Sequence, residues 1–180
     1  MDQGQQRSYS SGRRDGRALA LEPLAPWEGA PYQPTGDPMQ DGVGPASWAE
    51  RADEPDLTLH GTPKIQPLRV LPGFAPSDRD PDPRGMTVLG LDNQVAGTVA
   101  DIWIDTPDMM IRYLEVETRG EMPRRVLLPV PFTKIDRARR LVRVSAVTAA
   151  HFAVVPAHAH QDRVTRREED RIAGFFGGGR

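Results

Sequence analysis

The chain has 180 residues, of which 38% are hydrophobic and 27% are charged, and its formal net charge is −2. This apolar content suffices for one moderate hydrophobic core, and the mean hydropathy of −0.53 indicates that much of the chain lies outside it. The small net charge gives no overall attraction to nucleic acid or anionic lipid, and the absence of cysteine excludes disulfides and thiolate metal sites.

The first residues carry no signal for a regular element. Residues 1–20 are mostly polar, which predicts a flexible tail. No segment approaches the ~20 apolar residues that a membrane-spanning helix needs, and no charged-then-apolar export leader is evident. We therefore expect a chain that does not cross a membrane by itself.

Residues 21–84 are rich in proline, since 13 of the 18 prolines precede Arg84. Proline lacks a backbone donor and fixes φ, so this composition prevents long helices and central strands and predicts an extended arm. The apolar residues of the arm are isolated anchors rather than a helical stripe. We expect the arm to be ordered only by packing on a partner or on its own domain.

The densest part of the arm is the run PTGDPMQDGVGPASW at residues 34–48. Glycine and aspartate favour turns, so this run predicts successive turns with no regular element, and Trp48 is its apolar anchor. We predict that it contacts a partner. The predicted contact residues are Pro34, Gly36, Asp37, Pro38, Asp41, Gly44 and Trp48, with Lys64 farther along the chain.

Residues 85–160 have the pattern of a small sheet domain. β-Branched residues recur between turn signals, and several short strands at this spacing favour a small barrel or sandwich. The first two strands are predicted to form a hairpin around Asp92 and Asn93. The predicted strands are residues 86–91, 95–105, 111–118, 125–128, 134–136 and 141–145.

Residues 161–180 predict a short C-terminal helix. Thr165 and Glu168 have the spacing of a capping box, in which each side chain bonds the backbone N–H of the other residue. Ile172 and one of the two following phenylalanines give the helix an apolar face. The glycine run at residues 177–179 is expected to end the helix.

Five motifs in this chain occur in one order. They are the run at residues 34–48, GTPKIQP at 61–67, VAGTVADIWID at 95–105, RYLEVE at 112–117 and EEDRIAG at 168–174. In this respect the chain resembles the H subunit of the purple-bacterial (type II) photosynthetic reaction centre over about residues 31–176. The resemblance implies a mainly β fold: a small PRC-type β-barrel with the extended arm before it and the short helix after it.

The resemblance also implies a function. Members of the family cap the reaction centre at the cytoplasmic face of the bacterial inner membrane, stabilise the L and M core subunits, shield the quinone sites and relay protons to the secondary quinone. We expect this chain to be a peripheral, non-catalytic subunit. Bacteriochlorophyll, bacteriopheophytin, quinones and the non-haem iron are expected in its partner subunits and not on this chain.

The beginning of the chain departs from the family pattern. Family members usually open with a membrane-spanning helix, whereas this chain opens with MDQGQQR. We expect a separate small membrane-anchor polypeptide, or additional subunits, to take the place of that helix. A cytochrome subunit, a light-harvesting antenna and lipid head groups are the other expected neighbours, and no nucleic acid is expected.

The candidate site consists of acids around one turn. Asp101 and Asp105 are four residues apart on one predicted strand and so share a face, Asp108 lies in the following turn, and Arg112 begins the next strand. From the residues alone, these groups form a surface ion-pair cluster. The resemblance instead places Asp105, Asp108, Arg112 and Glu169 at positions of a proton-relay cluster below the secondary quinone, to which we add Asp101.

Coupled carboxylates suit such a relay because they share a proton over a broad pH range. The resemblance also assigns His60 to the proton entry, although the family's second histidine is replaced by Thr62 and its nearby acid by Thr58. The pair His158 and His160 is expected to lie in a solvent-exposed loop and not to bind zinc, which needs more ligands and a stiffer frame.

The alternative function is a soluble RNA- or ribosome-associated module, since PRC-like barrels also occur in a ribosome-maturation factor. Its support is the arginine density of two segments, at residues 137–143 and 163–171, which could equally face lipid head groups. The sequence has no phosphate-binding loop, dinucleotide fingerprint or nucleophile elbow, and therefore predicts no independent enzyme.

Overall fold

The structure is a computed structural model that describes residues 16–77 and 79–179. Residues 1–15 of the predicted tail lie outside this range. Within the range, no helix is both long and apolar enough to cross a membrane. The described chain is mainly β, with two α-helices.

Nine β-strands and two α-helices make up the described part of the fold. In chain order, they are β1 (Leu21–Pro23), β2 (Tyr32–Pro34), α1 (Pro38–Asp41), β3 (Ile65–Pro67), β4 (Thr87–Leu89), β5 (Val95–Asp105), β6 (Met110–Thr118), β7 (Arg125–Pro129), β8 (Thr133–Asp136), β9 (Leu141–Val144) and α2 (Arg166–Gly178). Short 3₁₀ helices occupy Gly44–Ala46, Leu68–Val70, Val130–Phe132 and Ala149–Ala153.

Seven strands form one sheet, in the order β7-β6-β5-β4-β9-β8 with β3 also paired to β5. The six predicted strands are confirmed, with ends that differ by a few residues, and so is the hairpin of β4 and β5. β4 and β9 are parallel, whereas the other pairs are antiparallel. β5 spans 11 residues and pairs with β6 along most of its length, so it is the central strand of the domain.

The core is one cluster of buried side chains, to which the strands of the sheet and α2 both contribute. The helix buries Ile172, Phe175 and Phe176, which confirms the predicted apolar face. The Phe176 ring stacks on Phe132 at a centroid distance of 5.8 Å and meets Phe152 edge-on at 6.1 Å. The predicted capping box is also present, because the side chains of Thr165 and Glu168 each accept the backbone N–H of the other residue.

The prediction that the glycine run ends the helix was wrong for its first two members, because α2 continues through Gly178. The reason is a close contact with the arm: a Cβ on Gly178 would lie 2.5 Å from the Cβ of Ala46, and a Cβ on Gly174 would lie 2.7 Å from the Ala46 carbonyl oxygen. These glycines let the arm approach the helix.

The arm differs from the expected extended chain. It contains the hairpin of β1 and β2, the helix α1, and a 3₁₀ turn at Gly44–Ala46 within the run for which no regular element was predicted. Asp37 caps α1 by accepting the Met39 backbone N–H at 2.9 Å. Gly42 follows the helix with φ of 66°, a left-handed conformation that glycine adopts without strain.

The second half of the run packs on the chain's own helix. Ala46 is buried against α2, and the Asp170 carboxylate accepts the Ala49 backbone N–H at 2.9 Å. The same carboxylate pairs with Arg51 at 2.8 Å. The Trp48 ring is half-buried, with the Arg17 guanidinium 3.6 Å above its centroid. Trp48 is thus an anchor within the chain.

The remaining predicted contact residues are mostly at the surface. Lys64 is half-buried and pairs with Asp56 at 2.7 Å. The exposed ones are Pro34, Gly36, Asp37, Asp41 and Gly44, while Pro38 is half-buried at the start of α1. Three apolar residues of the β1–β2 hairpin, Leu24, Trp27 and Tyr32, are also exposed.

Candidate functional site

The turn between β5 and β6 brings three of the predicted acids and bases together. Asp105 ends β5 and is buried, with only 4% of its surface exposed. Its carboxylate pairs with Arg112 at 3.2 Å, and the other carboxylate oxygen faces the Asp108 backbone N–H at 3.4 Å. Asp108 itself is exposed. A buried carboxylate therefore lies beside the backbone of an exposed acidic residue.

Glu169 approaches the same turn from the first turn of α2. It is half-buried, and the Tyr113 hydroxyl donates to its Oε2 at 2.9 Å. Burial raises the pKa of Glu169; the hydrogen bond from Tyr113 and the charge of Arg112 lower it by less, and Asp56 and Asp105 add to the rise. Glu169 therefore exchanges a proton closer to neutral pH than an exposed glutamate does.

Tyr113 is a site residue that the sequence analysis missed as an individual, although it lies within the RYLEVE motif. Burial and the neighbouring Glu169 carboxylate raise the pKa of its hydroxyl, so the phenol stays protonated at physiological pH. It is thus a permanent hydrogen-bond donor to Glu169. A cavity of about 390 Å³ opens over Arg112, Tyr113 and Glu169, with Met110 and Ile111 at its border.

The loop that carries His60 reaches this turn through its base. The loop closes between Asp56 and Lys64, where the Lys64 backbone N–H donates to the Asp56 carbonyl at 2.8 Å. The Lys64 carbonyl then accepts the backbone N–H of Thr106, in the β5–β6 turn, at 2.9 Å. His60 is exposed near the tip of the loop. The structure thus connects the exposed histidine to the acidic turn through one short loop.

The hydroxyl groups that replace the expected histidine and acid bond each other. The Oγ1 atoms of Thr58 and Thr62 are 2.8 Å apart, and the Thr58 Oγ1 also accepts the His60 backbone N–H at 3.2 Å. These bonds stabilise the loop. Neither Thr58 nor Thr62 therefore supplies a second titratable side chain beside His60.

The expectation that Asp101 shares a face with Asp105 was wrong. β5 has register shifts between Val99 and Asp101 and between Trp103 and Ile104, and such a bulge reverses the alternation of side chains. Asp101 is buried and pairs with Arg69 at 3.0 Å, away from Arg112. It belongs to a different ion-pair cluster.

This second cluster is centred on Glu115, which the sequence analysis did not single out. Glu115 is fully buried and accepts hydrogen bonds from Arg69 at 2.5 Å, Trp103 at 2.7 Å and Arg125 at 2.8 Å. Burial alone would raise the pKa of Glu115, but these three donors outweigh it and hold the pKa below its usual range. Glu115 is therefore a fixed anion that ties β6 to its neighbours.

The histidine pair is divided between two environments. His160 is exposed, as expected, but His158 is half-buried, and its ring meets Trp103 edge-on at a centroid distance of 5.4 Å. Burial lowers the pKa of His158. The expectation of a fully solvent-exposed loop was thus wrong for His158, because its ring packs edge-on against the buried Trp103 ring.

The sheet domain and the arm each match a known family. Residues 76–149 match the model of the PRC-barrel domain, which defines the class of the sheet domain. Residues 1–70 match the model of the N-terminal region of the photosynthetic reaction centre H chain. The two matches cover most of the sequence, in the order of the H chain. The chain belongs to the H-chain family and is a subunit of a photosynthetic reaction centre, a membrane-associated complex.

Proposed function

We propose that this subunit caps the cytoplasmic side of the reaction centre, stabilises the L and M core subunits, shields the quinone sites and delivers protons to the secondary quinone. The observation that carries this proposal is the acidic site itself. Arg112 pairs with buried Asp105 and lines a surface cavity together with half-buried Glu169, while exposed Asp108 lies in the turn that follows Asp105. Such groups can accept a proton from water and release it to a dry site.

Each residue has a distinct part in the proposed path. Asp108 is exposed and takes the proton from water. Asp105 lies beside Arg112, whose positive charge limits repulsion among the acids. Glu169 carries the proton onward because its raised pKa lets it hold a proton at a higher pH than an exposed glutamate does. His60, on the connected loop, is an exposed entry group.

The apolar residues beside the cavity support the proposal that a partner protein covers the acidic site. Met109, Met110 and Ile111 are exposed to 71%, 53% and 39% at the end of the β5–β6 hairpin. An apolar patch beside titratable groups is suited to a surface that a partner covers and dries. We assign this face to the core subunits, which would separate the acids from bulk water on one side.

The Tyr113→Phe variant tests the proposed role of Glu169 in proton transfer. Removal of the hydroxyl takes away a hydrogen bond that favours the Glu169 carboxylate, so the pKa of Glu169 should rise further. Proton donation fails when Glu169 is ionised. The pH at which the second, proton-coupled electron transfer slows should therefore move up by a similar amount in assembled complexes.

Infrared titration of the carboxyl C=O band, with the Glu169→Gln variant to assign it, measures the same shift directly. If Tyr113→Phe moves the midpoint of this titration but leaves the pH profile of electron transfer unchanged, Glu169 is not in the path. If the midpoint does not move, Tyr113 does not control the proton of Glu169.

A further inference from the structure

The hairpin of β8 and β9 concentrates positive charge at one place on the molecule. We call residues 134–143 the basic turn. They contain five basic residues and one acid, a local net charge of +4 in a chain whose net charge is −2. The basic residues are Lys134, Arg137, Arg139, Arg140 and Arg143. The remainder of the chain is therefore acidic, and the molecule is electrically asymmetric.

The contacts of these arginines leave most of the charge unneutralised. Arg137 and Arg140 donate to backbone carbonyl groups, and Arg143 donates to an asparagine side chain at 2.7 Å. These acceptors hold the guanidinium groups in place without cancelling their charge. Among the residues that the structure describes, Arg139 is the one arginine of the turn that pairs with a carboxylate, that of Asp136 at 3.5 Å, and the Arg139 side chain is 72% exposed.

The sheet topology orients the basic turn relative to the acidic site. Thr87, at the start of β4, pairs with Leu141 at the start of β9 and with Thr98 of β5. β4 and β9 are parallel and β5 runs the opposite way. By strand direction, the loop before β9 and the loop after β5 therefore lie toward the same end of the sheet, and β5 continues from Thr98 to Asp105 before its loop begins. These loops are the basic turn and the turn that carries Asp108.

We propose that the basic turn docks on the phosphate groups of anionic lipids at the membrane surface. The orientation rests on the proposed function, in which the acidic turn faces the membrane-embedded core; the basic turn then faces the surrounding lipid. Clustered arginine and lysine beside an anionic leaflet each contribute to binding. The turn has no aromatic residue on which RNA bases could stack, which favours lipid over single-stranded nucleic acid.

Vesicle binding by the full isolated chain tests the proposal without any reaction centre. The chain should co-sediment with vesicles of phosphatidylcholine and phosphatidylglycerol but not with phosphatidylcholine alone. The double variant Arg137→Gln, Arg139→Gln should bind about 30-fold more weakly. The matched control is Arg119→Gln, Arg163→Gln, which removes the same charge; Arg119 follows β6 at the opposite end of the sheet, and Arg163 pairs with Asp162 at 3.6 Å much as Arg139 does with Asp136.

Three outcomes would overturn the proposal. Equal losses in the two double variants would mean that net charge, and not this turn, determines binding. No preference for phosphatidylglycerol would exclude the lipid phosphates as the ligand. Binding to single-stranded RNA that the Arg137, Arg139 variant loses, with no vesicle binding, would assign the turn to nucleic acid. None of these results depends on proton transfer, so failure here leaves the proposed relay intact.

Discussion

The Glu169→Gln variant is expected to slow the second electron transfer to the secondary quinone by about 10²-fold in assembled complexes, while primary charge separation stays unchanged. Only the second transfer waits for a proton. Glutamine keeps the size and the hydrogen bond to Tyr113 but cannot carry a proton. Flash spectroscopy separates the two steps, and complexes must first be shown to contain the subunit in normal amount.

A matched control is available on the strand that carries Tyr113. Glu117→Gln removes a carboxylate from an exposed position of β6, outside the acidic site, and should leave both rates unchanged. If Glu117→Gln slows the second transfer as much as Glu169→Gln does, the effect comes from surface charge in general. If neither variant slows it, Glu169 carries no proton.

The second large effect is expected for Gly174→Ala, which should destabilise the protein by about 2 kcal/mol. The new methyl group would lie 2.7 Å from the Ala46 carbonyl oxygen and 3.0 Å from that of Ser47, so the arm must move away from α2. Gly177→Ala is the control within the same helix. Its Cβ would lie 3.8 Å from the Pro45 carbonyl oxygen, an ordinary van der Waals contact, and alanine there should stabilise the helix by up to about 1 kcal/mol.

Chemical denaturation gives the two stability changes, and hydrogen exchange locates them. In the wild-type chain, the Ala49 amide should exchange slowly because it is bonded to Asp170. Gly174→Ala should accelerate that exchange while the amides of β5 and β6 remain protected. Equal stability of the two variants, with fast exchange at Ala49 in both, would show that the arm does not pack on α2 in the isolated chain.

The sheet could be predicted from the sequence because its strands are marked by local signals. β9 alternates buried Val142 and Val144 with more exposed residues, and Asn93, in the predicted hairpin turn, has a left-handed backbone with φ of 58°. The capping box of α2 is equally local. Such patterns are properties of neighbouring residues, so no knowledge of the fold is needed to find them.

The parts that were missed depend on contacts between distant residues. A bulge after Trp103 separates Asp101 from Asp105, and a count of residues along the strand cannot reveal it. Glu115 reads as an ordinary strand residue until Arg69, 46 positions away, is seen to pair with it. The packing of Ala46 against Gly174 and Gly178 likewise joins the arm to α2, more than 120 residues later in the chain.

The most direct test of the proposed proton path is the second electron transfer, measured against pH in complexes that carry Asp105→Asn together with Asp108→Asn. These substitutions remove both carboxylates of the β5–β6 turn and leave Arg112 without its buried partner. We predict a slowed second transfer whose rate begins to fall at a lower pH than in the wild type, with primary charge separation unchanged. Normal kinetics with a normal pH dependence in complexes of normal composition would contradict the path and leave these acids as an ion-pair cluster that stabilises the turn.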